Sequence, residues 1–291
     1  MEIYCSPFKY ISVMWYPQVE SVATMIREHY DKPEYEGTLF LINTYLIAIP
    51  QSVKLHKELF DKHVYSKHIV YYYLEHDVGS LKEDEISQMD TLVNVFGVNE
   101  FWDMSYKSTM QTYVREKYGL PTKFVPMRYT SLIKQIPDLE SIEKTSDFCF
   151  VGGLHSDYRI KLISDINEYR WSTRDDVSFK LIFGTAKLQN SIPELNSSRF
   201  ILDIKGLDKY YYQNQVRIFE LLCMGYTVCV EKSILNMFPG LIYEWGTIED
   251  LYNLKNKPYL HPTEGYKKMT YTNESYEKYV NYLSEQWNTQ G

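Results

Sequence analysis

Long apolar runs are missing from this chain. The stretch 38–50 is among its longest and is already broken by Asn43 and Thr44, well short of the roughly 20 residues a membrane-spanning helix needs. No basic segment leading into an apolar one opens the sequence, so no secretory leader is expected and a cytoplasmic location is the default. Cysteine is scarce: Cys5, Cys149, Cys223 and Cys229 form no CxxC pair, and two of them sit in apolar, strand-like runs. Buried reduced thiols are therefore expected rather than disulfides or zinc ligands. With 13 glycines and 11 prolines in 291 residues, the chain is neither collagen-like nor a low-complexity linker. It also lacks GxxxxGK[ST], HExxH and GxSxG, and its seven histidines never pair at metal-ligand spacing. The common motif-bearing NTPases, zinc proteases and serine hydrolases are thereby excluded, and no metal-ligating set is expected. Positive charge is in deficit, 31 Lys and Arg against 38 Asp and Glu for a net −7, which excludes a surface that is basic all over.

What is present is an ordinary globular composition, 44% hydrophobic and 24% charged, over a length that suits two domains at roughly 150 residues each. Strand-like and helix-like segments alternate, the pattern of an α/β fold with a parallel sheet in each half. In the first half, strands are expected near 1–5, 38–42, 68–74, 91–95 and 123–126, with helices over 18–30, 52–61 and 105–118. The polar segment 131–146, which contains Pro137, separates the halves, giving domains at 1–145 and 146–291. The second half repeats the alternation, with strands near 148–151, 179–183, 200–203 and 227–230 and helices over 158–169 and 215–224. Gly225 would cap the latter helix. A last helix over 275–287 carries Tyr276, Tyr279, Val280, Leu283 and Trp287 at near-helical spacing.

Positive charge is unevenly distributed. Between Met104 and Lys134 stand Lys107, Arg115, Lys117, Lys123, Arg128 and Lys134 against Glu116 alone, and a second cluster runs from Lys54 to His68. Either is a solvated face or a surface for an anionic polymer. The 28 tyrosines could supply stacking surfaces, or reflect biased base composition.

Three constellations could carry chemistry. In the first, an apolar strand runs into Gly152-Gly153 and then a helix with Arg159 in its first turn. Glycines let the backbone approach an anion and a helix N-terminus donates N–H groups to it, although a glycine pair after a strand also serves as a plain tight turn. The second is Arg217-Ile218-Phe219-Glu220. Positions three apart share a helix face, so this pair is either a salt bridge or a fork-and-acceptor set for a diphosphate and a ribose. Its apolar neighbours imply a buried helix, where ion pairs are poor stabilisers. In the third, the tyrosine-rich strand 71–74 exits through Glu75, His76 and Asp77. Ligands gather beyond the carboxyl ends of parallel strands, so Asp77 is placed either as a general base or in an ordinary hydrophilic loop.

In order and spacing these motifs resemble the two-domain GT-B glycosyltransferases, most closely the bacteriophage DNA β-glucosyltransferases that modify 5-hydroxymethylcytosine. The likeness extends over most of the chain. It implies two Rossmann-like parallel-sheet domains facing a central cleft, the first binding DNA and the second a UDP-sugar, with the last helix packing back on the first domain. The turn at Gly152 and Gly153 with Arg159 resembles the family's diphosphate loop, and Phe183-Gly184-Thr185-Ala186-Lys187 resembles the strand-loop where the uracil sits. Arg217 and Glu220 fall on its Arg-x-x-Glu helix, which implies Arg217 at the diphosphate and Glu220 at the ribose. Leu41-Ile42-Asn43-Thr44 is similar to a family strand ending in Asn-Ser, and Pro17-Gln18-Val19-Glu20 to its Pro-x-x-Glu, which implies Glu20 at the donor sugar. Asp77 matches the catalytic aspartate. One departure is plain: the family's second diphosphate-facing arginine is replaced by Ser156, with His155 beside it as a substitute donor ligand.

The resemblance implies inverting transfer of glucose from UDP-glucose to modified duplex DNA, the acceptor being 5-hydroxymethylcytosine or its glucoside. It leaves room for a divalent cation, magnesium or manganese, although no Asp-x-Asp motif is present. Lys107, Arg115, Lys123 and Arg128 are the expected DNA contacts, and the protein is expected to act as a monomer in the host cytoplasm, away from membranes. Two alternatives stay open: a CgeB-like transferase with a polysaccharide, protein or lipid-linked acceptor, and a non-catalytic module that binds a sugar nucleotide or DNA.

Overall fold

The structure is a computed structural model that describes residues 2–5, 16–42, 58, 68–74, 79–154, 156–173, 176–183, 191–206 and 215–290. The chain forms two compact units, one of Met1–Ser12 with Gln18–Met127 and one of Val13–Pro17 with Arg128–Gly291. The segment 128–145, which the sequence reading gave to the first domain, thus belongs with the second unit. The reason is a buried guanidinium. Arg128, 2% exposed, donates to Thr270 O at 3.1 Å and Tyr271 O at 2.8 Å.

Among the described residues the first unit holds a five-stranded, all-parallel sheet in the order β1 (Glu2–Cys5), β2 (Thr38–Ile42), β3 (His68–Tyr73), β4 (Glu100–Asp103), β5 (Thr122–Phe124). Its described helices are α1 (Tyr16–Tyr30), α2 (Glu83–Asn94) and α3 (Thr109–Tyr118). Leu39, Leu41, Tyr71, Tyr73 and Phe101 pack against Met89 and Leu92 of α2 and Met110 and Val114 of α3. Each fully buried large side chain of this kind contributes roughly 1.5–3 kcal/mol. The alternate residues Phe40 and Trp102 form an aromatic cluster with Tyr30 and Tyr35, as the two-residue period of a strand requires.

One strand was misplaced. Residues 91–95, expected as a strand, close the helix α2, and the fourth strand is β4. Glu83, Asp84 and Glu85 occupy the first turn of α2, where negative charge suits the helix dipole, and Glu85 accepts the Lys82 N–H at 2.8 Å. Gly97, at φ 74°, then turns the chain into β4. The helix expected over 105–118 starts later, because Ser108 Oγ caps it by accepting the Gln111 N–H at 3.0 Å. The helix expected over 52–61 lies outside the described residues, apart from Glu58.

The second unit holds a parallel sheet in the order β10-β9-β8-β6-β7. Its strands are β6 (Ser146–Gly152), β7 (Phe179–Phe183), β8 (Ser198–Asp203), β9 (Val228–Glu231) and β10 (Tyr243–Trp245). The helices are α4 (Asp157–Thr173), α5 (Ile192–Asn196), α6 (Gln215–Met224), α7 (Ile248–Asn253), α8 (Pro262–Thr270) and α9 (Asn273–Gln290). The expected α/β class, with a parallel sheet in each half, is what the structure shows. The three-residue β10 carries too short a pattern to be read from sequence. Every residue of α6 is buried, and it ends as expected: Gly225, at φ 100°, donates to Leu222 O while Tyr226 donates to Leu221 O, the paired bonds of a Schellman turn. The last helix, α9, buries Tyr276, Tyr279 and Leu283, and the Tyr279 hydroxyl donates to Met237 O. Among the described residues no helix is long and apolar enough to cross a membrane. Cys149, Cys223 and Cys229 are buried, and burial pushes the Cys149 and Cys229 thiols up in pKa, which leaves them unreactive.

Candidate functional site

The strand order of the second sheet singles out one place. From β6 the chain moves outward to β7, then returns to the opposite side of β6 at β8. At such a reversal the connections leave the carboxyl ends of two adjacent strands in opposite directions and open a crevice, the usual ligand position in an open α/β sheet. Here that crevice lies beyond Gly152 of β6 and Asp203 of β8, with the N-terminus of the 17-residue α4 facing it. Gly152 and Gly153 therefore border this crevice.

Gly152 is constrained by space rather than by backbone angle. A Cβ there would stand 2.8 Å from Phe150 Cζ and 3.3 Å from Arg217 Nη1. Phe150 cannot step aside, since it is fully buried with the guanidiniums of Arg159 and Arg217 5.4 and 5.5 Å from its ring centre. Arg217, 7% exposed on α6, donates to Val151 O and lies 3.8 Å from Asp203. It locks the end of β6 to the end of β8. Glu220, one turn further along α6, is also buried, as the apolar neighbours implied.

Arg159 also has a structural part. Its guanidinium donates to Gly153 O at 2.8 Å, Ile204 O at 2.6 Å and Lys205 O at 3.3 Å. These bonds fasten the loop after β6 to the loop after β8. Glu231, ending β9, supports the same loop: it accepts the Lys205 N–H at 3.2 Å and the Tyr158 hydroxyl. Asp203, Lys205 and Glu231 escaped the sequence reading, although each is a charged residue at or just past the end of an apolar run, the signature of a strand's carboxyl end. Phe183 pairs in register with Gly152 and is 46% exposed, so an aromatic face stands open beside the glycine turn. His155 and Gly184 lie outside the described residues.

In the first unit, Asp77 lies outside the described residues; β3, which leads to it, ends at Tyr73. The neighbouring carboxylate at that edge, Asp103, is fully buried and accepts the Ser105 N–H at 2.7 Å and the Ser108 hydroxyl. It holds the loop into α3. Glu20 is exposed on α1.

The basic segment does not form one surface. Lys107 is exposed beyond the carboxyl end of β4 at φ 49°, Lys123 on β5 pairs with Trp102 one residue short of that end, and Arg115 lies in the second half of α3. Lys123 sits 5.0 Å above the Trp102 ring, and Lys117 is paired with Asp90 at 2.6 Å. Arg128 is removed from any DNA surface: besides its two carbonyl partners, its guanidinium stacks 4.2 Å above the Tyr276 ring. Of the second cluster only His68 and Glu58 are described, and His68 lies 2.8 Å from Glu100.

A cavity of about 600 Å³ occurs elsewhere in the second unit, lined by Asp138, Glu140, Glu264, Gly225 and Tyr259 among others. It is bordered by segments that precede β6 and β9, and His261, also in its lining, lies 3.2 Å from Glu140. Among the described residues no group of three His, Cys, Asp or Glu side chains is placed to hold a metal ion.

The sequence matches no protein-family profile and no curated protein. Similar solved structures include AviGT4, a glycosyltransferase involved in avilamycin A biosynthesis, at TM-score 0.42 and 12% identity over 87% of this chain and 84% of that one. The lipopolysaccharide outer core galactosyltransferase WaaB follows at 0.40 and 13% over 91% and 78%. The GtfA/B complex is similar at 0.41 and 10%, this chain covering 56% of that chain's length.

Proposed function

We propose that the protein is a GT-B glycosyltransferase that moves glucose, with inversion, from UDP-glucose to a hydroxyl on duplex DNA carrying 5-hydroxymethylcytosine or its glucoside. The crevice between β6 and β8 carries the donor half of this reading. It combines a glycine turn kept open by Gly152, the N–H donors of the α4 N-terminus, and an exposed aromatic at Phe183, a set suited to a nucleoside diphosphate. Glu220 is assigned to the ribose, Glu20 and His155 to the donor, and Gly184 to the uracil loop. The DNA half rests on the motif resemblance, with exposed Lys107 at the carboxyl edge of the first sheet as the contact in keeping with it.

In the proposed reaction Asp77 takes the proton of the acceptor hydroxyl as its oxygen attacks the anomeric carbon. The bond from that carbon to the diphosphate oxygen breaks, and UDP leaves with the electron pair. Main-chain N–H groups of Gly152, Gly153 and the first turn of α4 receive the charge on the leaving diphosphate. The reading leaves room for a divalent cation, magnesium or manganese, on the departing diphosphate.

The test is incubation with UDP-glucose and matched duplexes carrying cytosine, 5-hydroxymethylcytosine or its glucoside, followed by mass analysis of the digested nucleosides. One added hexose on a modified duplex, and none on cytosine, is expected. Asp77→Asn should lower that turnover by about two to four orders of magnitude while UDP still binds. No added hexose despite bound UDP-glucose would remove DNA as acceptor, and failure to bind UDP-glucose would remove the donor.

A further inference from the structure

The crevice poses a charge problem. A diphosphate brings at least two negative charges, yet both arginines beside the glycine turn are already engaged with the protein. Arg217 is held by Val151 O and Asp203, and Arg159 by Gly153, Ile204 and Lys205 carbonyls. Each also flanks the buried ring of Phe150, so a turn toward a ligand would cost either of them contacts it already makes.

We propose that Lys205, two residues past the end of β8, is the side chain that binds the donor diphosphate. The assignment rests on the donor reading above and names a residue that the family resemblance did not. Lys205 stands at the strand reversal itself, on the loop that Arg159 ties to Gly153. Its backbone is pinned from both sides, the N–H by Glu231 at 3.2 Å and the carbonyl by Arg159 at 3.3 Å. Its side chain is half-buried, and among the described residues no hydrogen bond or ion pair holds its ammonium. Lys232 is exposed and follows β9, one strand away from the crevice. A lysine fixed at its backbone and unpaired at its tip is a point charge suited to phosphate oxygens, whose geometry varies between ground and transition state. The two arginines and Glu231 then act as positioning residues for the loop that carries it.

Calorimetric titration of wild type and Lys205→Gln with UDP and with uridine separates this role from a structural one. Lys205→Gln should weaken UDP binding at least tenfold, with uridine affinity and melting temperature unchanged, and Lys205→Arg should restore most of the loss. Equal UDP affinity in Lys205→Gln and wild type would overturn the assignment while leaving the donor reading intact. Wild type that binds no UDP would overturn both. A second measurement needs no variant: acylation of the Lys205 amine in wild type, followed by peptide mass spectrometry, should be slowed by UDP and not by uridine. Labelling unaffected by saturating UDP would overturn the proposal even if Lys205→Gln failed to fold.

Discussion

Gly152 shows how a single residue can be dictated by its neighbours. Phe150 is fully buried with two guanidiniums near its ring, and the space left beside β6 admits hydrogen but not a methyl group. Gly152→Ala should therefore destabilise the protein by roughly 1–3 kcal/mol, the scale of overpacking in a filled core, and weaken UDP binding as Arg217 is displaced. Thermal denaturation and UDP titration of the variant check this, and an unchanged melting temperature would mean that Phe150 yields more easily than its burial implies. Arg159 teaches the complementary lesson. From the first turn of α4 its guanidinium reaches three carbonyls, so the same charge serves as a fastening between two loops.

Among elements, the junction between α8 and α9 depends on a residue far away in sequence. Arg128 bonds to the main chain at Thr270 and Tyr271, and the neighbouring Tyr129 N–H donates to the Thr270 hydroxyl at 2.9 Å. Those carbonyls end α8 and precede α9, so a buried cation satisfies acceptors that a helix terminus otherwise leaves open. Arg128→Ala should cost roughly 2–4 kcal/mol, the sum of lost charged hydrogen bonds and packing. Were Arg128 instead a DNA contact, the variant would melt like wild type and show a shallower salt dependence of DNA binding. Denaturant unfolding and a salt titration of DNA affinity separate the two roles. The same comparison at Lys107, an exposed position, should show the opposite pattern.

For the whole molecule, several surface carboxylates share one sign of pKa shift. The Lys117 ammonium, joined by the Tyr118 hydroxyl, lowers the pKa of Asp90; Thr247 and its neighbouring N–H groups lower that of Asp250; and Lys278 lowers that of Glu274. A carboxyl whose pKa is lower when folded adds stability above its unfolded pKa, near 4, and loses it as pH falls through the folded value. The melting temperature should accordingly be level from about pH 7 to 5 and fall below about pH 4. These groups are solvent-exposed, so added salt should reduce the contribution of the ion pairs. A melting temperature that stays level to about pH 3 would show that the three carboxylates are not coupled to folding.

Local pattern alone was enough for much of this protein. The apolar runs at β2 and β7, the fully apolar surroundings of Arg217 on α6 and the glycine that ends that helix were legible, because periodicity and turn chemistry act within a few residues. The glycine turn after β6 was legible for the same reason. Residues 91–95 misled, since a short apolar run suits strand and helix equally and only the acidic first turn upstream decides for the helix. Tertiary structure alone decided the strand order, and with it the reversal between β6 and β8 that opens the crevice. It also decided what each arginine does, because the carbonyls that claim Arg128 and Arg159 lie 142 and 45 residues away in the chain. A guanidinium has the same chemistry on a surface, in a phosphate site or under a loop, and only the acceptors brought to it by folding determine which of these it serves.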